Sequence, residues 1–225
     1  MSATVDALLP LSFLEAVRSL DVPDDDLDIE IVPELRNKRL GLSDTVYSQI
    51  QRYTDAVRRS QRPTFHEAVA LARLVGRRPD AERVFRAAGT YLAGQAYQRI
   101  SPVTRRTMRG LPLAVARPLA LRHARRIARR LLGGRVQRVG SSLMLQVPES
   151  VTADAAPDAA GCAYYEAVLR ELMLLLLDAD TRVEHVRCTQ RGEGRCEWRV
   201  DWRAGTARGA APLAARPETA AAAER

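Results

Sequence analysis

The chain has 225 residues, enough for one hydrophobic core and an appendage, and its hydrophobic fraction of 46% excludes wholesale disorder. A net charge of +8 raises nucleic acid or an anionic membrane as partners. The longest apolar run, 172–177, falls far short of the roughly 18 residues that a transmembrane helix needs.

The basic residues are almost all arginine, with Lys38 the only lysine, a skew that together with the many alanines reads as GC-rich coding. Charge excess alone reports solubility and non-specific attraction, and aromatics are not interleaved with the arginines as single-strand binders require. No nucleic-acid partner is therefore expected. The apolar stretch 7–14 follows Asp6 and lacks a basic flank or a small-residue cleavage site, so it does not read as a signal peptide. Three cysteines, an odd number, argue for reduced thiols or metal ligands and a cytoplasmic location.

Residues 1–40 read as an N-terminal extension, partly helical around 8–20, with an acidic loop at Asp24, Asp25, Asp26 and Asp28 and a basic stretch at Arg36, Lys38 and Arg39. Residues 41–203 form the expected domain. Ser43 is a suitable N-cap for a helix with Val46, Ile50, Tyr53 and Val57 near helical spacing. Thr64 followed by Glu67 is a capping-box signal, and Pro79-Asp80 opens a helix carrying Val84, Phe85, Ala88, Tyr91 and Leu92. Pro102 and Pro112 punctuate the next stretch of chain, and 113–132 reads as an arginine-rich helix stopped at Gly133-Gly134.

The pattern then changes. Residues 135–138 and 142–147 around Gly140-Ser141 predict a β-hairpin, with Leu143, Leu145 and Val147 alternating. An Ala/Asp/Pro loop at 151–160 leads to an apolar helix at 162–177. Strands at 182–189 and 195–202 come next, joined by a glycine-containing loop, and 204–225 has the composition of a disordered tail. Helices beside two hairpins indicate an α+β fold with helices packed on one antiparallel sheet.

The sharpest chemical signal is Cys162, His185, Cys188 and Cys196. Two thiolates from a hairpin, one from a helix start and an imidazole would suit tetrahedral zinc. The competing reading is three buried cysteines that pack as small hydrophobes. C-x7-C is not a zinc-knuckle spacing, and His185 and Cys188 point to opposite strand faces unless a bulge or loop intervenes.

Gly161-Cys162, Tyr164-Tyr165, Ala167 and Leu169 resemble the start of the last long helix of the 4-vinyl-reductase domain family. Val183, Cys188, Gly192, Cys196, Trp198 and Val200 resemble its closing hairpin. Upstream, Ala87-Ala88-Gly89, Ile100, Leu111-Pro112, Ala116, Leu119 and Arg122-His123-Ala124 resemble the helical half of its bacteriochlorophyll-type members. The resemblance spans about residues 80–203.

It implies a ligand-binding module; in the family's phenol sensors zinc is held by three cysteines and a glutamate. Cys162, Cys188 and Cys196 match the cysteines. His185 stands at the glutamate's place, with Glu184 the substitute if His185 points away. The implied pocket for a hydrophobic small molecule, a tetrapyrrole intermediate or a phenol, has Tyr97, His123, Met144, Tyr164, Tyr165 and Trp198 as candidate lining. Each aromatic has the competing role of core residue with a satisfied polar tip, and His123 that of a surface residue among arginines.

The resemblance allows three roles: carrier, sensor or assembly factor; a 4-vinyl reductase of bacteriochlorophyll synthesis; or an aromatic-ligand sensor acting on transcription through a partner. Arg122, Arg125, Arg126, Arg129 and Arg130 share one broad face of their helix, either a peripheral contact with an anionic membrane or a solvated outer face. Homodimerisation through 172–177 or a hairpin edge is a further expectation.

Overall fold

The computed structural model describes residues 3–22, 41, 43–178 and 181–201. A helical N-terminal half precedes a four-stranded antiparallel sheet of order β1-β2-β4-β3, so the fold is α+β as the sequence predicts. The helices are α1 (Leu8–Asp21), α2 (Asp44–Arg58), α3 (Phe65–Gly76), α4 (Ala81–Gln98), α5 (Pro102–Gly110), α6 (Leu113–Leu131) and α7 (Ala163–Leu177). The strands are β1 (Arg135–Val139), β2 (Ser142–Val147), β3 (Arg182–Arg187) and β4 (Cys196–Asp201). The acidic loop, the basic stretch at 36–39 and the tail at 204–225 lie outside the described residues.

Local chemistry sets the starts of α2 and α3. The Val46 N–H donates to Ser43 Oγ at 3.3 Å, and the Glu67 N–H donates to Thr64 Oγ1 at 3.2 Å. Only half of a capping box forms at α3, because the Glu67 carboxylate accepts the Tyr53 hydroxyl at 2.7 Å and pairs with Arg52. Asp80 does not cap α4. Its carboxylate pairs with Arg78, which also makes a two-pronged pair with Asp21 of α1.

α1, read from sequence as part of a lead-in, is buried along most of its length, with Phe13, Leu8 and Leu9 at 0–1% exposure. It packs on α4, where Phe13 meets Phe85 edge to face at 5.8 Å between centroids. The segment before it is tied to the entry of α3 by a Thr4–Thr64 bridge. α7 lies between the two halves, packing against α4, α5 and α6 on one side and β3 and β4 on the other. That burial explains its nearly uniform apolar sequence, with Tyr164, Tyr165, Val168, Leu172 and Met173 all at or below 1% exposure.

The inner face of the sheet carries Val136, Leu143, Leu145, Val147, Val183, Trp198 and Val200, all buried. β2 follows the alternation its sequence predicts, with Leu143, Leu145 and Val147 inward. No helix among the described residues is long and apolar enough to cross a membrane.

Candidate metal centre

Four side chains from three elements converge at one corner of the sheet. Cys162 immediately precedes α7, His185 lies on β3, Cys188 follows β3, and Cys196 opens β4. One ligand atom from each lies within 4.8 Å of all the others, and Cys162 Sγ is 3.9 Å from Cys188 Sγ. Metal–sulfur bonds of about 2.3 Å place sulfurs about 3.8 Å apart at the corners of a tetrahedron, close to the Cys162–Cys188 separation. All three cysteines are buried free thiols.

Two local devices build this geometry. The β3–β4 register shifts between His185 and Arg187, a bulge-type irregularity. Strict alternation would separate His185 and Cys188 onto opposite faces; the shift brings both to the inner face. Then a tight turn of Thr189–Arg191, ended by Gly192 at φ +79°, returns the chain toward Cys196. At the other wall Gly161 approaches the backbone so closely that an added Cβ would lie 2.0 Å from the Thr152 carbonyl oxygen. The Thr152 hydroxyl donates to the Gly161 carbonyl at 2.6 Å, fixing the strap that delivers Cys162.

His185, and not Glu184, is the fourth member of the cluster. Glu184 points to the outer face, where it pairs with Arg199 and, at 3.2 Å, with Arg182. His185 stacks on Trp198 with centroids 4.8 Å apart and planes 10° apart. Its Nε2 is buried without a hydrogen-bond partner among the described residues. A buried polar atom in that condition costs free energy that an ion would offset.

Supporting hydrogen bonds surround the cluster. The Cys188 N–H donates to the Glu193 carboxylate at 2.6 Å, and Glu193 pairs with Arg191 at 3.2 Å. The Thr189 backbone N–H and hydroxyl lie 3.5 and 3.3 Å from Cys196 Sγ. A hydrogen bond from Cys162 holds the Cys196 thiol far below its usual range, and Thr189 adds to this, against desolvation. The same bond, with burial and the neighbouring sulfurs, pushes Cys162 up. The thiolate is the form that binds metal.

Cys162, His185 and Cys188 also line the floor of a polar cleft of about 600 Å³, whose walls include Arg86, Glu166 and Gln190. Four protein ligands complete the tetrahedron, so the arrangement matches a structural centre rather than one with an open coordination position.

The predicted pocket residues are scattered. Tyr164, Tyr165 and Trp198 are fully buried and pack in a chain of ring contacts, with Tyr164 and Tyr165 centroids 5.2 Å apart and Tyr165 and Trp198 4.8 Å apart. The Tyr164 hydroxyl lies 3.3 Å from the Ser12 hydroxyl, and the Tyr165 hydroxyl accepts the Val151 N–H at 3.2 Å. Met144 pairs with Arg199 on the outer face of the sheet. Tyr97 is buried on α4 beneath the Arg105 guanidinium, 5.3 Å from its ring centroid. His123 lines a cavity of about 610 Å³, separate from the cleft at the metal centre. Sequence reasoning missed that cavity because its lining comes from four separate stretches of chain. Arg122, Arg125, Arg126, Arg129 and Arg130 are all exposed, and Ala120, Ala124, Ile127, Ala128 and Leu131 form the buried face of α6.

Comparison with known proteins finds no match: no protein-family model fits the chain, and no curated protein or solved structure is significantly similar to it.

Proposed function

We propose that this chain is a zinc-stapled binding module of the 4-vinyl-reductase domain type, which holds a hydrophobic small molecule as carrier, sensor or assembly factor. The observation that carries the reading is the convergence of Cys162, His185, Cys188 and Cys196 to within 4.8 Å. A donor set of three thiolates and one imidazole favours zinc among the common ions, since hard cations prefer oxygen ligands. The three cysteines also match the family's ligand order, with His185 in place of the glutamate.

The ion would link the start of α7 to the β3–β4 hairpin, joining Cys162 to Cys188 26 positions along the chain. Metal affinity then adds directly to folding free energy, because the unfolded chain has no such site. The ligand to test first is a chlorophyllide-type tetrapyrrole, followed by simple phenols.

Metal content of the purified full chain, with Cys188→Ala and Cys196→Ala alongside, tests the staple. About one zinc per chain is expected, lost in both variants together with thermal stability. A metal-free wild type whose variants melt normally would reduce the cysteines to core packing. Binding of a vinyl-bearing chlorophyllide without turnover supports the carrier reading; turnover with an added reductant makes the chain an enzyme. Preference for phenols makes it an aromatic-ligand sensor.

A further inference from the structure

The cavity of about 610 Å³ lies away from the metal centre, between the ends of α2 and α4, the start of α5 and the outer half of α6. Its size falls within the range of small-molecule sites. Its walls are sharply divided by chemistry. Ala96, Ile100, Ile127 and Leu131, each at most 8% exposed, and Val57 give it an apolar floor. Arg62, Arg99, Arg126 and Arg130 ring it, with Asp6 the single carboxylate in the lining.

That carboxylate does not neutralise the ring. Asp6 Oδ1 accepts the Leu8 N–H at 3.0 Å, and Asp6 Oδ2 shares its single charge between long ion pairs, each at 3.8 Å, with Arg99 and Arg130. Arg62 donates to Thr4 Oγ1 and to its carbonyl, at 3.2 and 3.3 Å, and so is held in place without charge compensation. Arg126 has no carboxylate partner among the described residues. Four guanidinium groups over a low-dielectric floor focus a positive potential into the cavity. Ser101 and Thr104, at the start of α5, add hydroxyl groups to the wall.

We propose that this cavity binds an amphiphilic anion, its carboxylate or phosphate head among Arg62, Arg99, Arg126 and Arg130 and its apolar body on the floor. Guanidinium groups suit both heads because they present paired N–H donors to planar or tetrahedral oxyanions. This deepens the binding-module reading and rests on it, but not on the metal. Arg126 and Arg130 thereby acquire a role distinct from that of Arg122, Arg125 and Arg129 on the same helix.

The test is calorimetric titration of the full chain with dodecanoate and dodecyl phosphate below their micelle concentrations, with dodecanol and inorganic phosphate as partial probes. Both amphiphiles are expected to bind at least tenfold more tightly than dodecanol or inorganic phosphate. Arg99→Gln and Arg126→Gln should each weaken dodecanoate at least fivefold and leave dodecanol unchanged. Both lie on exposed helix ends or faces, and a thermal melt checks that each variant is folded. Equal affinity for dodecanol and dodecanoate overturns the proposal, as does inorganic phosphate binding as tightly as dodecyl phosphate. Capture by anionic vesicles without dodecanoate binding also overturns it and assigns the arginines to a lipid surface. Zinc content is measured on the same samples: full zinc without amphiphile binding refutes the pocket alone, whereas amphiphile binding by metal-free protein supports the pocket and refutes the staple alone.

Discussion

Two glycines on α4 give a matched pair of perturbations. An added Cβ at Gly89 would lie 2.4 Å from the Tyr164 carbonyl oxygen and 2.9 Å from Ala167 Cβ, whereas at Gly94 it meets nothing within 4 Å. Both lie inside one helix, so alanine gains roughly 0.8–1 kcal/mol of helix propensity at either position. A relaxed carbon–oxygen contact is roughly 3.3 Å. Gly89→Ala therefore forces α4 and α7 apart by close to 1 Å, and neither contact is the flexible tip of a side chain. Overpacking of this kind costs about 1–3 kcal/mol, and the rigid backbone on both sides puts this case at the upper end. The expected net effects are destabilisation by about 2 kcal/mol for Gly89→Ala and stabilisation by about 0.5–1 kcal/mol for Gly94→Ala. Urea unfolding followed by far-ultraviolet circular dichroism measures both. The carbonyl struck belongs to the first turn of α7, two residues past Cys162, so Gly89→Ala should also weaken metal binding while Gly94→Ala does not. A Gly89→Ala protein as stable as the wild type would refute the close α4–α7 approach and with it the placement of Cys162.

Asp21→Asn should cost about 2–3 kcal/mol, below the roughly 3–5 kcal/mol of a fully buried pair because Arg78 keeps Asp80. Burial pushes the Asp21 pKa up, but the Arg78 hydrogen bonds and the Gly41 N–H outweigh it and hold the carboxyl below its usual range. Such a depressed pKa contributes stability that is full above the unfolded value near 4 and is lost as pH falls through the folded value. Acid titration of the unfolding free energy should therefore show a steeper loss below about pH 4 in the wild type than in Asp21→Asn. Thr64→Ala removes the acceptor for the Glu67 N–H and should cost about 1 kcal/mol by the same urea assay; no change would mean that α3 is capped otherwise. Glu193→Gln weakens the bond to the Cys188 N–H and should lower zinc affinity about tenfold in a chelator competition, with one ion per chain at saturation. Unchanged affinity would place Glu193 outside the centre's support.

The helical half was legible wherever a local signal acts locally. Ser43 and Thr64 cap the helices predicted from them because capping needs only a hydroxyl and an N–H three residues on. Gly133, in the left-handed region at φ +62°, follows α6 as its position after the arginine run suggests. α6 runs through Pro118, which has no N–H to donate to the carbonyl four residues earlier. The burial of α1 was not legible. Its apolar spacing is that of any amphipathic segment, and only contact with α4 decides that Phe13 lies in the core.

The candidate metal site divides the same way. Composition and order presented three thiols and a nearby imidazole, because ligand chemistry belongs to residue type. Whether they meet depended on a one-residue shift between β3 and β4, which turns Cys188 to the face of His185 and leaves Glu184 paired with Arg199. A strand's side-chain direction has period two, so such a shift changes everything downstream of it and leaves no mark in local sequence. The arginine-ringed cavity is the extreme case. Its charges come from the approach to α3, the end of α4 and the outer face of α6, segments that only packing brings together. Propensity and chemistry act over a few residues and could be read along the chain; proximity across it is created by burial, and that only the folded structure decides.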